Sequence, residues 1–398
     1  MQRFVCILST LVAASAGAAT LIVDDDKVQC PNAAFISISV AAAAANPGDI
    51  IRVCPGLYLE DVQITKQLTF LGASNGKNQK KRCGEIPDQT HDSIVTSIGN
   101  GFDVQADNVV IDGFVFQSSS NGVILRSDGN EVANNRFRSN HSALSGVNSG
   151  LIQTVTVIEE NCFQGDDFGT SGFFKNTRIE DNSFDHDGGI FANTVFPIPI
   201  ENANLSILRN EFDHAGLNGA ASIDITGATD LVISGNDISH PQFRGISVSE
   251  GLRVIIRDNK LQDGPGDGIA VSSGQRQESE DILVEKNEVT GFALSGILVQ
   301  GLSDSSIADN SIRDNGQSGI EFFACNSILV SKNRAKRNGV DGIRVDAFSS
   351  GNTIEQNHLS ENVEHDAHDD SVGSGTAGTN NLWIKNKCKT ENRPGLCH

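Results

Sequence analysis

From residue 130 onward the chain repeats one phrase, an asparagine, any residue, then an apolar residue. It appears as NRF at 135, NCF at 161, NSF at 182, NEF at 210, NDI at 236 and NKL at 259, then as NEV at 287, NSI at 310, NRA at 333, NHL at 357 and NKC at 386. Nine residues after five of these asparagines a glycine opens an alternating run: GISV at 245, GIAV at 268, GILV at 296, GIEF at 319 and GIRV at 342. Both series advance by 23, 28, 23 and 23 residues. Two phrases that share a register mark a structural repeat of one unit. Within each unit the apolar residues alternate over three to five positions between Gly, Asn, Asp and Ser, the pattern of short strands and turns. Single units of this size cannot bury an apolar face alone, so they must stack.

Stacking predicts columns. Phe137, Phe163, Phe184 and Phe212, continued by Ile238, Leu261, Val289 and Ile312, form an internal column whose burial drives folding. The asparagines form a second column at a corner, where an amide side chain satisfies backbone groups that a parallel stack leaves unpaired. The glycines mark backbone positions where a side chain is excluded. Leucine-rich repeats have similar length but a leucine-dense consensus and a helical return, both missing here. Propeller blades need roughly 40 residues. The expected fold is an all-β, right-handed parallel β-helix with one coil per repeat.

The ends differ from the repeats. Residues 1–19 read as a signal peptide: Arg3, an apolar run from Val5 to Val12, and Ala16-Gly17-Ala18 before cleavage. That implies a secreted, periplasmic or cell-surface protein. Residues 20–60 hold an N-terminal cap and the first strands, with Phe35–Ala45 the best helix segment, stopped by Asn46-Pro47-Gly48. Residues 61–381 form the solenoid, with a basic loop protruding near 72–92. Residues 382–398 are the last strand and a tail. Beyond Cys6, seven cysteines remain, so one has no partner within the chain. Cys30 and Cys54 flank the cap, and Cys388 and Cys397 bracket the tail; each pair is expected to form a disulfide, while Cys83, Cys162 and Cys325 stay unassigned. With 30 basic against 50 acidic residues and a net charge of −20, the chain is a poor partner for nucleic acid. No apolar run is long enough to insert in a membrane. Oligomeric state is not legible.

Three stretches carry a family likeness: CPNAAFISISVAAAAANPGDIIRVCPGLY from Cys30, the Asn-x-apolar coils, and GSGTAGTNNLWIKNKCKTENRPGLC from Gly373. Through them the chain resembles bacterial secreted proteins with parallel β-helix repeats, within the pectate-lyase-like superfamily. That superfamily includes polysaccharide lyases, hydrolases and epimerases, copper-enzyme accessory proteins and non-catalytic surface proteins, so the resemblance implies architecture more than activity. Alginate C5-epimerases of the superfamily carry Asp-Pro-His-Asp or Asp-Pro-His-Glu at the catalytic coil. Here Asp366-Ala367-His368-Asp369 is similar. The likeness implies acid/base and charge-neutralising roles for Asp366, His368 and Asp369. Ala367 in place of proline, in the last complete coil, departs from the pattern.

Three functions follow as expectations. The first is binding of an extracellular or envelope ligand, a polysaccharide, without need of catalysis. The second is a uronate-polysaccharide lyase or C5-epimerase-like enzyme. The third is a periplasmic metal-handling accessory. One Trp and one Tyr offer little aromatic platform for sugar, and a single Met argues against a thioether copper site. Reading eleven residues on from each repeat asparagine gives an outward column Ser247, Ala270, Leu298, Glu321, Arg344, His368. Two residues further on stand Asp346 and Asp370. The last coils thus gather Glu321, Arg344, Asp346, His368 and Asp370 onto one face as the candidate ligand site. Arg344, His368, Asp366 and Asp369 are the catalytic candidates, and calcium is the candidate cofactor. The plainer expectation for the same residues is an ion-pair ladder. A second column, His186, His214, His240 and Asp263, is a candidate transition-metal site.

Overall fold

The computed structural model describes residues 17–147, 154–193, 202–216, 219–274 and 279–397. Most of the expected signal segment lies outside the described residues. From Thr20 onward the strands coil into a parallel β-helix. They form a 13-stranded and a 26-stranded sheet, and every strand pair described is parallel, as between Ile223–Ser234 and Ile246–Arg257. Each coil visits three faces. The first carries the three-residue strands after the repeat asparagine, such as Glu211–Asp213 and Asp237–Ser239. The second carries strands after the repeat glycine, such as Ile297–Gln300, Ile320–Phe323, Asp341–Val345 and His365–Asp369. The third carries those before the next asparagine, such as Ser306–Ala308 and Leu329–Ser331. Faces two and three merge into one sheet because Ile223–Ser234 and Ile246–Arg257 run across both.

Inside, the aromatic column forms as the spacing predicts. Phe137, Phe163, Phe184 and Phe212 stack with ring centroids 4.9, 4.5 and 4.7 Å apart, and Ile238, Leu261, Val289 and Ile312 extend it, all buried. Each such side chain contributes roughly 1.5–3 kcal/mol of hydrophobic stabilisation. The asparagine column is an unbroken hydrogen-bonded ladder. Asn210 donates its backbone N–H and its amide to Asn236 Oδ1, at 2.9 and 3.1 Å, and its amide also to the Ile179 carbonyl at 2.9 Å. Asn236 does the same to Asn259 and the Ile207 carbonyl. The residue before each asparagine takes left-handed backbone, among them Asp181, Arg209, Asp258 and Lys332. Only before Asn236 does a glycine, Gly235, announce this turn. The glycine column answers a close approach: a Cβ on Gly268 would sit 2.6 Å from the Gly296 carbonyl oxygen.

The N-terminal cap helix is Ile38–Ala44, shorter than the expected Phe35–Ala45 segment. Ser37 caps it, and the Glu60 carboxylate accepts from the Ile38 and Ser39 N–H groups. At the other end the Lys66 ammonium donates to the Ala42, Ala43 and Ala45 carbonyls, so both helix ends are satisfied by complementary charge. Cys30 pairs with Cys54 and Cys388 with Cys397. Cys83 pairs with Cys162, leaving Cys325 free and buried.

The basic loop at 72–92 lies against the first face. The Cys83–Cys162 disulfide ties it there. Arg136 and Arg138 donate to the Glu85 carbonyl, Asp92 pairs with Arg136 in a fully buried ion pair, and Lys80 reaches Glu211 at 2.9 Å. Lys80 finds its acidic partner in Glu211 and Cys83 its disulfide partner in Cys162, 79 residues on, so no local pattern indicates where the loop lies.

Candidate functional site

The second face positions the cluster. Direct register runs Leu298, Glu321, Arg344, His368, as the column alignment predicts. The structure brings Arg344, His368 and Asp370 together and adds two residues the alignment missed, Asp341 and His365. Asp341 is the floor, with a fully buried side chain. His368 Nδ1 lies 3.1 Å from one Asp341 oxygen and His365 Nδ1 3.3 Å from the other. The His368 Nε2 meets Asp370 Oδ1 at 2.9 Å. The Arg344 guanidinium lies 3.5 Å from Asp341 and 3.6 Å from Asp370. His368 is only 12% exposed, whereas Arg344 and Asp370 are 34% and 42% exposed and form the rim. The Asp341 carboxylate beside its Nδ1 raises the His368 pKa, assisted by Asp370 and opposed by burial. Protonated, His368 and Arg344 balance the two carboxylates.

The other predicted members turn elsewhere. Glu321 accepts from the Ser295 hydroxyl at 2.6 Å. Asp346 caps its own turn, accepting from the Ala324 N–H and the Ser349 hydroxyl. Asp366 and Asp369, named from the epimerase likeness, point inward and are buried. Asp366 ends an asparagine ladder by accepting from Asn362 Nδ2 and the Lys389 N–H, both at 2.9 Å. Asp369 accepts from the Trp383 indole at 2.8 Å and from Ser371. Their oxygens hold the C-terminal cap, so neither faces a ligand. Calcium does not fit the cluster either. A guanidinium within 3.6 Å of both the Asp341 and the Asp370 carboxylate opposes a second cation, and two imidazoles are poor ligands for a hard one.

The histidine column also forms. His186, His214 and His240 stack with centroids 4.6 and 4.9 Å apart. Asp263 does not complete it: its carboxylate leans over Gly291 of the next coil. Asp213 takes that place, its Oδ1 lying 3.0 Å from His214 Nδ1 and 3.1 Å from His240 Nδ1.

The family model for the right-handed β-helix region matches residues 198–278 and 256–396. The chain belongs to the right-handed β-helix family. Two solved structures share the fold. The A-module of an Azotobacter vinelandii mannuronan C-5 epimerase is 13% identical, with 90% of this chain and 89% of that one covered and a TM-score of 0.51. The catalytic unit of a GH87 α-1,3-glucanase from Streptomyces thermodiastaticus is 14% identical, with 95% and 70% covered and a TM-score of 0.54. No curated protein sequence matches the chain. Among the described residues no helix is long and apolar enough to cross a membrane.

Proposed function

We propose that this β-helix protein is exported and binds a carboxylated polysaccharide on the second face of its last coils, as a binding protein and not an enzyme. One observation carries the reading: Arg344 and His368 already hold a carboxylate between them, that of Asp370, at 3.6 and 2.9 Å. A uronate carboxylate is the same chemical group, and Asp370 sits at the exposed rim where it can be displaced. Guanidinium and imidazolium together select such a group from neutral sugar. The two solved structures named for polysaccharide-acting proteins support the ligand class through fold alone. Three disulfides fit an oxidising compartment.

Binding of the anion needs protonated His368. Its pKa is raised, so affinity is complete below that raised value and falls as pH rises through it. The experiment is binding of polyuronate against neutral glucan by the wild type, Arg344→Ala, His368→Ala and Asp370→Asn. Each of the first two variants weakens polyuronate binding at least about tenfold, and Asp370→Asn tightens it by removing the competing carboxylate. Equal affinity in wild type, Arg344→Ala and His368→Ala overturns the site. A second reading rests on the buried Asp341 behind His368, an arrangement that suits an imidazole to proton transfer. Unsaturated or epimerised uronate formed by the wild type, and lost in Asp341→Asn, would establish that reading instead.

A further inference from the structure

A second cluster lies on the first face, where its geometry points to a different ligand. Two successive coils carry Phe-Asp-His, as Phe184-Asp185-His186 and Phe212-Asp213-His214; the third carries Ile238-Ser239-His240. Each phenylalanine or isoleucine points inward and each histidine takes left-handed backbone, with φ of 48, 52 and 49°. Identical backbone in stacked coils forces the imidazoles into parallel contact. The third coil lacks the aspartate, so Asp213 faces two imidazoles. It accepts from His240 Nδ1 at 3.1 Å and from the Ser239 hydroxyl at 3.1 Å, which fixes its orientation. His214 Nδ1 is 3.0 Å from the same oxygen but makes no hydrogen bond, although the atom is buried. A buried imidazole nitrogen with no partner is costly and needs an explanation.

We propose that Asp213, His214 and His240 form a binding site for a divalent transition metal, with its remaining coordination position open to the adjoining groove. Two donors bound to one tetrahedral zinc stand about 3.3 Å apart, from metal–ligand distances of ~2.0–2.1 Å. The Asp213 oxygen already stands 3.0 and 3.1 Å from the two nitrogens, and donor atoms of all three residues lie within 4.8 Å of one another. Two imidazoles and one carboxylate suit zinc and its neighbours in the series, not calcium. The groove beside them, ≈ 500 Å³, is lined by Asp185, Glu211, Asp213 and Asp237 and raises the local concentration of cations. One wall is the 72–92 loop, held there by Cys83–Cys162 and by Lys80 on Glu211. The site differs from the Asp341 cluster, which has a guanidinium against its carboxylates. His186 binds Asp185 and only stacks on His214, so it is a neighbour and not a ligand.

The test is calorimetric titration of the untagged, chelator-stripped chain with zinc, paired with thermal melting. Asparagine tolerates left-handed backbone, so His214→Asn and His240→Asn remove a ligand without straining the turn. The wild type takes up one zinc and melts at higher temperature with it. His214→Asn, His240→Asn and Asp213→Asn each weaken zinc binding at least tenfold and lose the thermal shift, while His186→Asn and His368→Asn keep both. Should one ligand variant fail to fold by circular dichroism, the other two decide. No zinc binding by the wild type overturns the proposal. So does unchanged affinity in the folded ligand variants, or binding that depends on His186 or His368.

Discussion

Two hydrogen-bonded ladders run along this molecule, and they differ in what they tolerate. The first, at the corner before the first face, uses asparagine at every step from Asn135 to Asn386. The second, at the far end of the first face, begins with Asn140, continues with Asp166 and Asp187, breaks across Ala215, Pro241, Gly264 and Phe292, and resumes at Asn315, Asn338 and Asn362. An amide both donates and accepts, so asparagine can repeat without limit. A carboxylate only accepts, and two in succession, both fully buried, must share a proton. Burial pushes the Asp166 pKa up to about 7, and burial with the charge of Asp166 pushes Asp187 up as well. The uniform ladder is pH-independent scaffolding. The broken one occupies the same coils as the histidine stack, where the chain departs from its own repeat.

Cutting the uniform ladder gives the largest effect. Asn236→Ala removes the acceptor of Asn210's backbone N–H and amide and leaves buried groups unsatisfied; it destabilises by about 4 kcal/mol, read from denaturant unfolding. Mending the other ladder works in the opposite direction. Asp166→Asn continues the amide series and stabilises by about 2 kcal/mol at pH 8, with little gain at pH 4. The sign follows from the raised folded pKa of about 7. The wild-type contribution is complete below the unfolded carboxyl pKa and is lost as pH rises through the folded value. A stability profile for the wild type that is flat between pH 4 and 8 would remove this account. The smallest effect comes from a ladder on the outside. Asp314 and Arg337 pair at 2.7 Å in neighbouring coils, both partly exposed. Asp314→Asn keeps the left-handed turn and costs no more than about 0.5 kcal/mol, a loss that shrinks further in high salt.

The same contrast explains what the sequence makes legible. Columns that repeat one residue type with one spacing declare themselves: the asparagines, the inward phenylalanines, and the outward run Leu298, Glu321, Arg344, His368. Period-2 alternation orients them wherever a strand is regular. Asp341 and His365 escaped because they are the first residues of their strands, next to the corner and two before Ile343 and Ala367, at the place Ser295 and Ser318 hold in earlier coils. Corner geometry, not alternation, turns them toward His368. Asp366 and Asp369 failed as site residues for a related reason. The last coil gives way to the cap, and there Trp383 and the tail supply partners that no repeat could indicate. The pairing of Cys83 with Cys162 and the lie of the 72–92 loop depend on contacts across many coils, and no local pattern encodes them.

Stacking in strict register gives every surface position an address with two coordinates, coil and face. The Asp213 and His368 clusters sit on different faces, six ladder steps apart, or roughly 29 Å along the axis at ~4.8 Å per coil. The rod is in effect a graduated scale. Excising one 23-residue unit, such as Asn310 through Lys332, would bring the two clusters one graduation closer and leave each facing the way it did before. Spacing between sites is therefore a property that whole-coil gain or loss can reset, without redesign of any residue within either cluster.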